Sequence, residues 1–366
     1  MNDLYPAERL SQVAGAVRDH GLSALLLTPG PDLRYVTGYD AKQLERLTCL
    51  VVPAEGDPFL VVPQLELKAA QHSPAGGLGV ELVTWGETDD PFGLIAGRTG
   101  PMESVALSDR MWALFTLRFA AAFPGARQVL ASEVLSPIRV RKTAAEVAAL
   151  REAGAAIDRV HARVPGWLRP GVTEREVGAA IAEAILAEGH VSVDFIIVGS
   201  GPNAASPHHE VSGRVIERGD VVVVDIGGTM PSGYCSDCTR TYAVGTPPAE
   251  FTKYYGVLRE AQEAACAAAA PGVPAQDVDA AARDIIAAAG YGEWFIHRTG
   301  HGIGLETHED PYIVSGNTTP LAPGNAFSVE PGIYPGPHGA RIEDIVVCTP
   351  DGAERLNHAP RDLVIV

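Results

Sequence analysis

Residues 170–189 read PGVTEREVGAAIAEAILAEG, and residues 271–290 read PGVPAQDVDAAARDIIAAAG. Pro170, Gly171, Val172, Val177, Ala179, Ala180, Ile185, Ala187 and Gly189 recur in register between the two. Alanine-rich helices share some identities through composition, so the repeated Pro-Gly-Val start and the closing glycine weigh most. The tetrapeptide LREA precedes both copies, at Leu150–Ala153 and Leu258–Ala261. The segments downstream of the two copies match as well. The first copy leads to DVVVVD, ending at Asp225, and then to Asp237; the second leads to NAFSVE, ending at Glu330, and then to Glu343. This pattern predicts a duplicated unit. Each half offers one acid at the end of an apolar strand and a second acid on the next strand, so two halves facing each other bring four carboxylates together.

Isolated buried carboxylates are very unfavourable, and four in one place repel unless cations neutralise them. A fifth candidate stands in GHGIGLETHEDP, residues 300–311, where three glycines crowd His301 and His308 follows seven residues later. Oxygen ligands with one imidazole suit Mn²⁺, Co²⁺, Fe²⁺ or Zn²⁺. Two such ions bridged by carboxylates form a recurrent hydrolytic device. Any one strand-end acid is commonly solvated or salt-bridged; the four together with His301 require a shared explanation. The chain contains no HExxH, no G-x-S-x-G and no P-loop lysine motif, which removes three other common chemistries.

The chain has 366 residues, enough for two domains. Residues 1–135 alternate helical and strand-like stretches, with SALLLT, TCLVVP and PFLVVP as short apolar runs. They are expected to form an α/β domain. The second domain is expected over 136–366, opening on a long helix capped by Thr143 and Glu146. The net charge of −17 excludes nucleic acid and anionic membrane as partners, since both need a basic footprint. No segment has the roughly 20 apolar residues of a membrane span. The start, MNDLYPAERLSQ, lacks the apolar run of a secretory signal. Five scattered cysteines fit a reducing cytoplasm, and Cys235 and Cys238 form a C-x-x-C without the second pair that a zinc site needs.

Asp225 in VDIGG, Asp237 in SDCTRTY, His301 in GHGIG, Glu330 in VEPGIY and Glu343 in RIEDIV resemble, in order and local context, the five-ligand set of the pita-bread metallopeptidases. The resemblance covers about residues 140–366. It implies an α+β pita-bread catalytic domain with a pseudo-two-fold repeat, behind a creatinase-like α/β amino-terminal domain. It also implies two divalent metal ions, Mn²⁺ foremost, with Co²⁺ or Zn²⁺ as alternatives. Asp225 would bind one ion, His301 and Glu330 the other, and Asp237 and Glu343 would bridge. Glu330 would also move a proton from the attacking water to the leaving nitrogen. His208 and His308 match the family's two non-ligand histidines, which steady the substrate and the oxyanion, and Arg341 would orient a carboxylate or carbonyl. His209 has no counterpart.

Within the family, methionine aminopeptidases usually lack a separate amino-terminal domain, and creatinase does not keep the ligand set. An Xaa-Pro peptidase fits both features, with a proline-containing di- or oligopeptide as substrate and a homodimer as the common assembly. The expectation leans to an Xaa-Pro dipeptidase, with an Xaa-Pro aminopeptidase as the alternative and a metal-free binding module as the distant one. A dipeptidase needs a cation for the proline carboxylate. Residues 309–329, where some prolidases place an arginine, contain neither Arg nor Lys. The stretch DAKQLERL offers Lys42 and Arg46 instead, and Arg46 is the expected substrate-binding residue.

Overall fold

A computed structural model describes residues 2–366. The chain divides into two compact units, which part between Arg139 and Val140. The first unit is built on a six-stranded sheet of β1 (Ala24–Leu27), β2 (Cys49–Pro53), β3 (Phe59–Pro63), β4 (Glu81–Trp85), β5 (Ser104–Leu107) and β6 (Arg127–Leu130). Their order is β4-β3-β2-β1-β5-β6. Strand β2 runs antiparallel to both neighbours, and the remaining pairs are parallel. The three apolar runs become β1, β2 and β3. Leu25, Leu26 and Leu27 are wholly buried, as continuous apolar runs must be when both sheet faces are covered. The first helix, Glu8–Asp19, stops before Gly21, whose φ of +62° suits the turn out of a helix.

The second unit shows the repeat directly. Glu174–Ala187 and Ala275–Ala288 are helices of 14 residues each. Each packs on a longer helix that carries an LREA segment, Ala144–His161 and Ala249–Ala268 respectively. The first of these opens on a capping box made by Thr143 and Glu146. After the first helix pair come β7 (Ser192–Ser200), β8 (Val221–Thr229) and β9 (Cys235–Ala243). After the second come β10 (Gly300–Gly302), β11 (Glu309–Ile313), β12 (Ala326–Val329), β13 (Gly332–Ile333), β14 (Ala340–Arg341), β15 (Asp344–Thr349), β16 (Gly352–Arg355) and β17 (Val364–Ile365). They form one sheet ordered β17-β9-β8-β7, another ordered β11-β10-β12-β15-β16, and the small β13-β14 pair.

One sequence expectation needs correction, and the weak C-x-x-C signal can be placed. Asp225 does not end its strand but lies in the middle of β8, which continues to Thr229. Gly227 and Gly228 allow this, because a Cβ on Gly227 would lie 2.4 Å from the Phe195 ring and one on Gly228 2.6 Å from the Ser192 carbonyl. The C-x-x-C is not a pair in space. Cys235 sits opposite Thr229 and Cys238 opposite Ile226 on β9, and odd spacing along a strand points them to opposite faces. All five cysteines are free and buried.

Candidate metal centre

The β8–β9 register builds one side of the centre. Asp225 pairs with Thr239, and Gly227 with Asp237. Cross-strand partners and residues two apart share a sheet face, so Asp225, Asp237 and Thr239 all project to the same side. The Thr239 hydroxyl donates to Glu343 Oε2 at 2.8 Å, and the Thr239 carbonyl accepts from the Glu343 amide at 3.1 Å. The second sheet supplies the other side. Ser328, on β12, accepts from the His301 amide at 3.0 Å and donates to Glu330 Oε1 at 3.0 Å. Strand β10 runs so close to its neighbours that a Cβ on Gly300 would stand 1.8 Å from the Ser328 carbonyl oxygen. One on Gly302 would stand 2.1 Å from that of Asp310. The glycines around His301 therefore serve close approach of backbones.

The five expected ligand residues converge. His301 Nε2 lies 3.1 Å from Glu330 Oε1 and 3.7 Å from Asp237 Oδ2. Single ligand atoms of Asp237, His301 and Glu343 lie within 4.8 Å of one another. Asp225 joins through Arg341, whose Nη2 donates to its Oδ2 at 2.5 Å. His301 Nδ1 is 3.2 Å from the Gly302 carbonyl oxygen, which can only accept, so Nδ1 carries a proton there. Nε2 then faces carboxylate oxygens, and a proton or a metal cation must lie between them.

Further observations fit a cation. Asp225 Oδ1 and Glu343 Oε1 are buried with no hydrogen-bond partner among the described residues. The carboxyls of Asp237 and Glu343 are pushed well above the usual range, first by burial and then by the surrounding carboxylates. Burial also works to raise Glu330, but His301, His297 and Arg341 outweigh it and hold the group down to about 2. Buried acids with spare oxygen acceptors are what a divalent ion neutralises.

A ring of partners fixes these groups. Besides Asp225, Arg341 donates to the Tyr334 hydroxyl at 2.8 Å, the Pro207 carbonyl at 3.1 Å and Thr239 Oγ1 at 3.2 Å. His297 Nε2 is 3.0 Å from the same Tyr334 hydroxyl. The His308 ring stands edge-on to His301, with centroids 4.0 Å apart. Partial burial, then His301 and Arg298, lower its pKa, so it is neutral at pH 7. His208 and His308 both line a cavity of about 840 Å³ that reaches the acids and is walled on one side by Phe195, Ile196 and Ile197. Arg46 belongs to the first unit, in the segment between the helix Pro31–Thr37 and β2. Its Nη1 bonds Glu45 Oε1 at 2.9 Å, and its Nε is buried without a hydrogen-bond partner among the described residues.

Several contributors were not named from sequence. Thr239 was within reach, because a residue two past Asp237 on a strand shares its face. Tyr334 and His297 gave no comparable signal. Nor did Glu174, a fully buried carboxylate at the start of its helix. It accepts from the Ser200 amide and hydroxyl at 2.8 and 2.7 Å, Asn203 at 2.9 Å, and the Ser212 hydroxyl at 2.5 Å. His209 Nε2 bonds it at 2.8 Å. The histidine that had no counterpart is thus a fastener for the loop presenting His208.

Residues 148–350 match the model of metallopeptidase family M24, and residues 9–141 match that of the creatinase/prolidase N-terminal domain. The chain is 54% identical over 362 residues to a probable dipeptidase PepE of Mycobacterium tuberculosis, covering 98% of this chain and 96% of that one. It is 39% identical over 343 residues to an Xaa-Pro dipeptidase of Lactobacillus helveticus, covering 91% and 92%. The crystal structure of dipeptidase PepE from Mycobacterium ulcerans superposes with a TM-score of 0.93 at 55% identity, covering 98% of this chain and 97% of that one. With a duplicated catalytic unit, converging acids and a histidine between them, this chain belongs to metallopeptidase family M24 and carries a creatinase/prolidase N-terminal domain.

Proposed function

We propose that the protein is a metal-dependent Xaa-Pro dipeptidase, which hydrolyses the imide bond between a first residue and a carboxy-terminal proline. The observation that carries this reading is the convergence of Asp225, Asp237, His301, Glu330 and Glu343 beside a cavity sized for a small peptide. The similarity to proteins named dipeptidase and Xaa-Pro dipeptidase supports it. The five residues would hold two divalent ions, Mn²⁺ foremost, with Co²⁺ or Zn²⁺ as alternatives. Bound ions supply Lewis acidity and lower the pKa of water, the chemistry that attack on an imide carbonyl needs.

The chain's own groups do the rest. Glu330, ionised and oriented by Ser328 and His301, takes a proton from the attacking water and delivers it to the proline nitrogen as the bond breaks. His208 and neutral His308 donate hydrogen bonds to the substrate and to the oxyanion of the tetrahedral intermediate. Arg341 fixes Asp225 and, through Pro207, the turn that carries His208. Arg46 is the amino-terminal candidate for contact with the substrate. The reading extends to a cytoplasmic homodimer, in keeping with the free thiols and with the assembly common to the family resembled.

The test is hydrolysis of Ala-Pro beside Ala-Pro-Ala by metal-stripped protein resupplied with Mn²⁺, Co²⁺ or Zn²⁺. The expected result is metal-dependent cleavage of the dipeptide. Cleavage mainly of the tripeptide would make the enzyme an aminopeptidase, and metal-independent or absent cleavage would sink the assignment. Elemental analysis and size-exclusion chromatography with light scattering read ion count and subunit number. Arg46→Ala leaving dipeptide and tripeptide cleavage in an unchanged ratio would remove Arg46 from the substrate site.

A further inference from the structure

The helix Ala275–Ala288 carries a buried acid that stands outside the metal centre. Asp279 is 1% exposed, and a carboxylate so enclosed needs partners. Arg283, one helical turn on, donates from Nε to Oδ2 at 2.8 Å and from Nη2 to Oδ1 at 2.9 Å. The same guanidinium lies over the Phe295 ring at 4.1 Å from the centroid. It also donates to the Phe295 carbonyl at 3.1 Å and the His297 carbonyl at 2.9 Å. Asp279 Oδ1 accepts twice more from Thr299, from the amide at 3.1 Å and the hydroxyl at 2.7 Å. Residues 295–299 form neither helix nor strand, so side chains must satisfy backbone groups that a ladder would otherwise take. Asp279 and Arg283 together fasten this segment at Phe295, His297 and Thr299.

The segment leads straight into the metal centre. His301 follows Thr299 by two residues, and the Thr299 carbonyl accepts from the Glu330 amide at 2.7 Å. One fully buried threonine, tied to Asp279, thus sets the backbone of both His301 and Glu330, whose side chains meet at 3.1 Å. Asp225, Asp237 and Glu343 are held by other means, the β8–β9 register, Thr239 and Arg341. The first half has its own such device, in which Glu174 ties down the loop that presents His208. The two acids are not equivalent in the repeat, because the offset that sets Pro170 against Pro271 sets Gly178 against Asp279. Neither Asp279 nor Arg283 lines the cavity.

We propose that Asp279 and Arg283 are positioning residues, which act through Thr299 to hold His301 and Glu330 side by side as partners of one ion. The inference rests on the metal-dependent reading above. Because the remaining acids have separate supports, loosening this clamp weakens one of the two ions and spares the other. It also misaligns the group that carries the proton, without touching the walls that bind the substrate.

The experiment titrates Mn²⁺ calorimetrically into metal-stripped wild type, Asp279→Asn, Thr299→Val and Thr299→Ser, and measures kcat and KM on Ala-Pro at saturating Mn²⁺. Thr299→Val removes the hydroxyl at nearly constant shape, and Thr299→Ser keeps it. In Asp279→Asn and Thr299→Val, one ion is expected to bind as in the wild type and the other about 10-fold more weakly, as when a group supporting a metal ligand is lost. The kcat on Ala-Pro falls about 10-fold with KM nearly unchanged, the signature of an interaction needed in the transition state. Thr299→Ser behaves as the wild type. Both ions weakened alike, neither weakened, or Thr299→Ser as damaged as Thr299→Val would overturn the proposal. Should Asp279→Asn fail to fold, the two Thr299 variants decide alone. If the wild type binds Mn²⁺ but leaves Ala-Pro intact, the Xaa-Pro reading fails and the calorimetric comparison still decides the clamp. A wild type that binds no Mn²⁺ would overturn the metal-dependent reading and this inference together.

Discussion

Arg341 was expected to orient a carboxylate or a substrate carbonyl, and its guanidinium meets the Asp225 carboxylate, Tyr334 and two further oxygens of the protein. Removing one member of a buried, hydrogen-bonded ion pair costs about 3–5 kcal/mol, because the other charge stays behind. Arg341→Met is therefore expected to lower the melting temperature of the second unit, residues 140–366, by about 6–10 °C. It is also expected to reduce kcat at least about 100-fold, since Asp225 and the His208 turn both lose their anchor. Thermal melts and steady-state kinetics check both. The acids carry a second expectation. Asp237 and Glu343 have raised pKa values in the metal-free fold, so folding holds their protons. That contribution is complete below the ordinary carboxylate range and is lost as pH rises through the raised values. A bound cation removes the penalty, so added Mn²⁺ is expected to raise the melting temperature more at pH 8 than at pH 5. Calorimetry with and without chelator measures it; equal shifts at the two pH values would refute the electrostatic account.

At the scale of elements, the helix pairs were legible because both halves repeat a start, a stop and an amphipathic period. The helices Glu174–Ala187 and Ala275–Ala288 begin and end at equivalent positions. Strand ends were less legible. DVVVVD looks finished at its aspartate, and only the pairing of Gly227 and Gly228 with β7 and β9 carries β8 further. The converging acids and His301 were readable from repeat and resemblance together, whereas the groups that orient them meet only through tertiary contacts. Glu174 is the clearest case. Burial opposes its charge, but hydrogen bonds from Ser212, Asn203, His209 and Ser200 prevail and hold it down to about 2. Its contribution to stability is present above about pH 4.5 and fades as pH falls towards 2. Glu174→Gln is expected to cost about 1–3 kcal/mol and to loosen the loop that carries His208. Denaturant melts and hydrogen exchange over residues 200–212 would register that loosening, and protection equal to wild type would show that the loop holds itself.

The whole molecule consists of two units, each with an interior of its own. One buried cluster, from Ala24 to Phe123, lies in the first unit, and two large ones, running from Ile157 to Val244 and from Ala204 to Cys348, lie in the second. A unit with its own core folds independently. A chain of residues 140–366 is therefore expected to unfold cooperatively and to bind divalent metal, because every acid of the centre and His301 lies within it. Circular dichroism and isothermal titration with Mn²⁺ decide this, and a chain that binds no metal would show that the centre depends on the first unit. Domain order and the α/β character of the first unit were visible in the runs that became β1, β2 and β3.

The five cysteines have a practical consequence. All are buried, and burial drives the thiols of Cys235 and Cys266 up to about 12, with Cys49, Cys238 and Cys348 also raised. Maleimide reagents attack thiolates, which these sites scarcely form near neutral pH. A single cysteine introduced at an exposed position such as Leu117 would be the preferred site of labelling. Fluorescent or spin reporters can then be attached without first removing the native thiols.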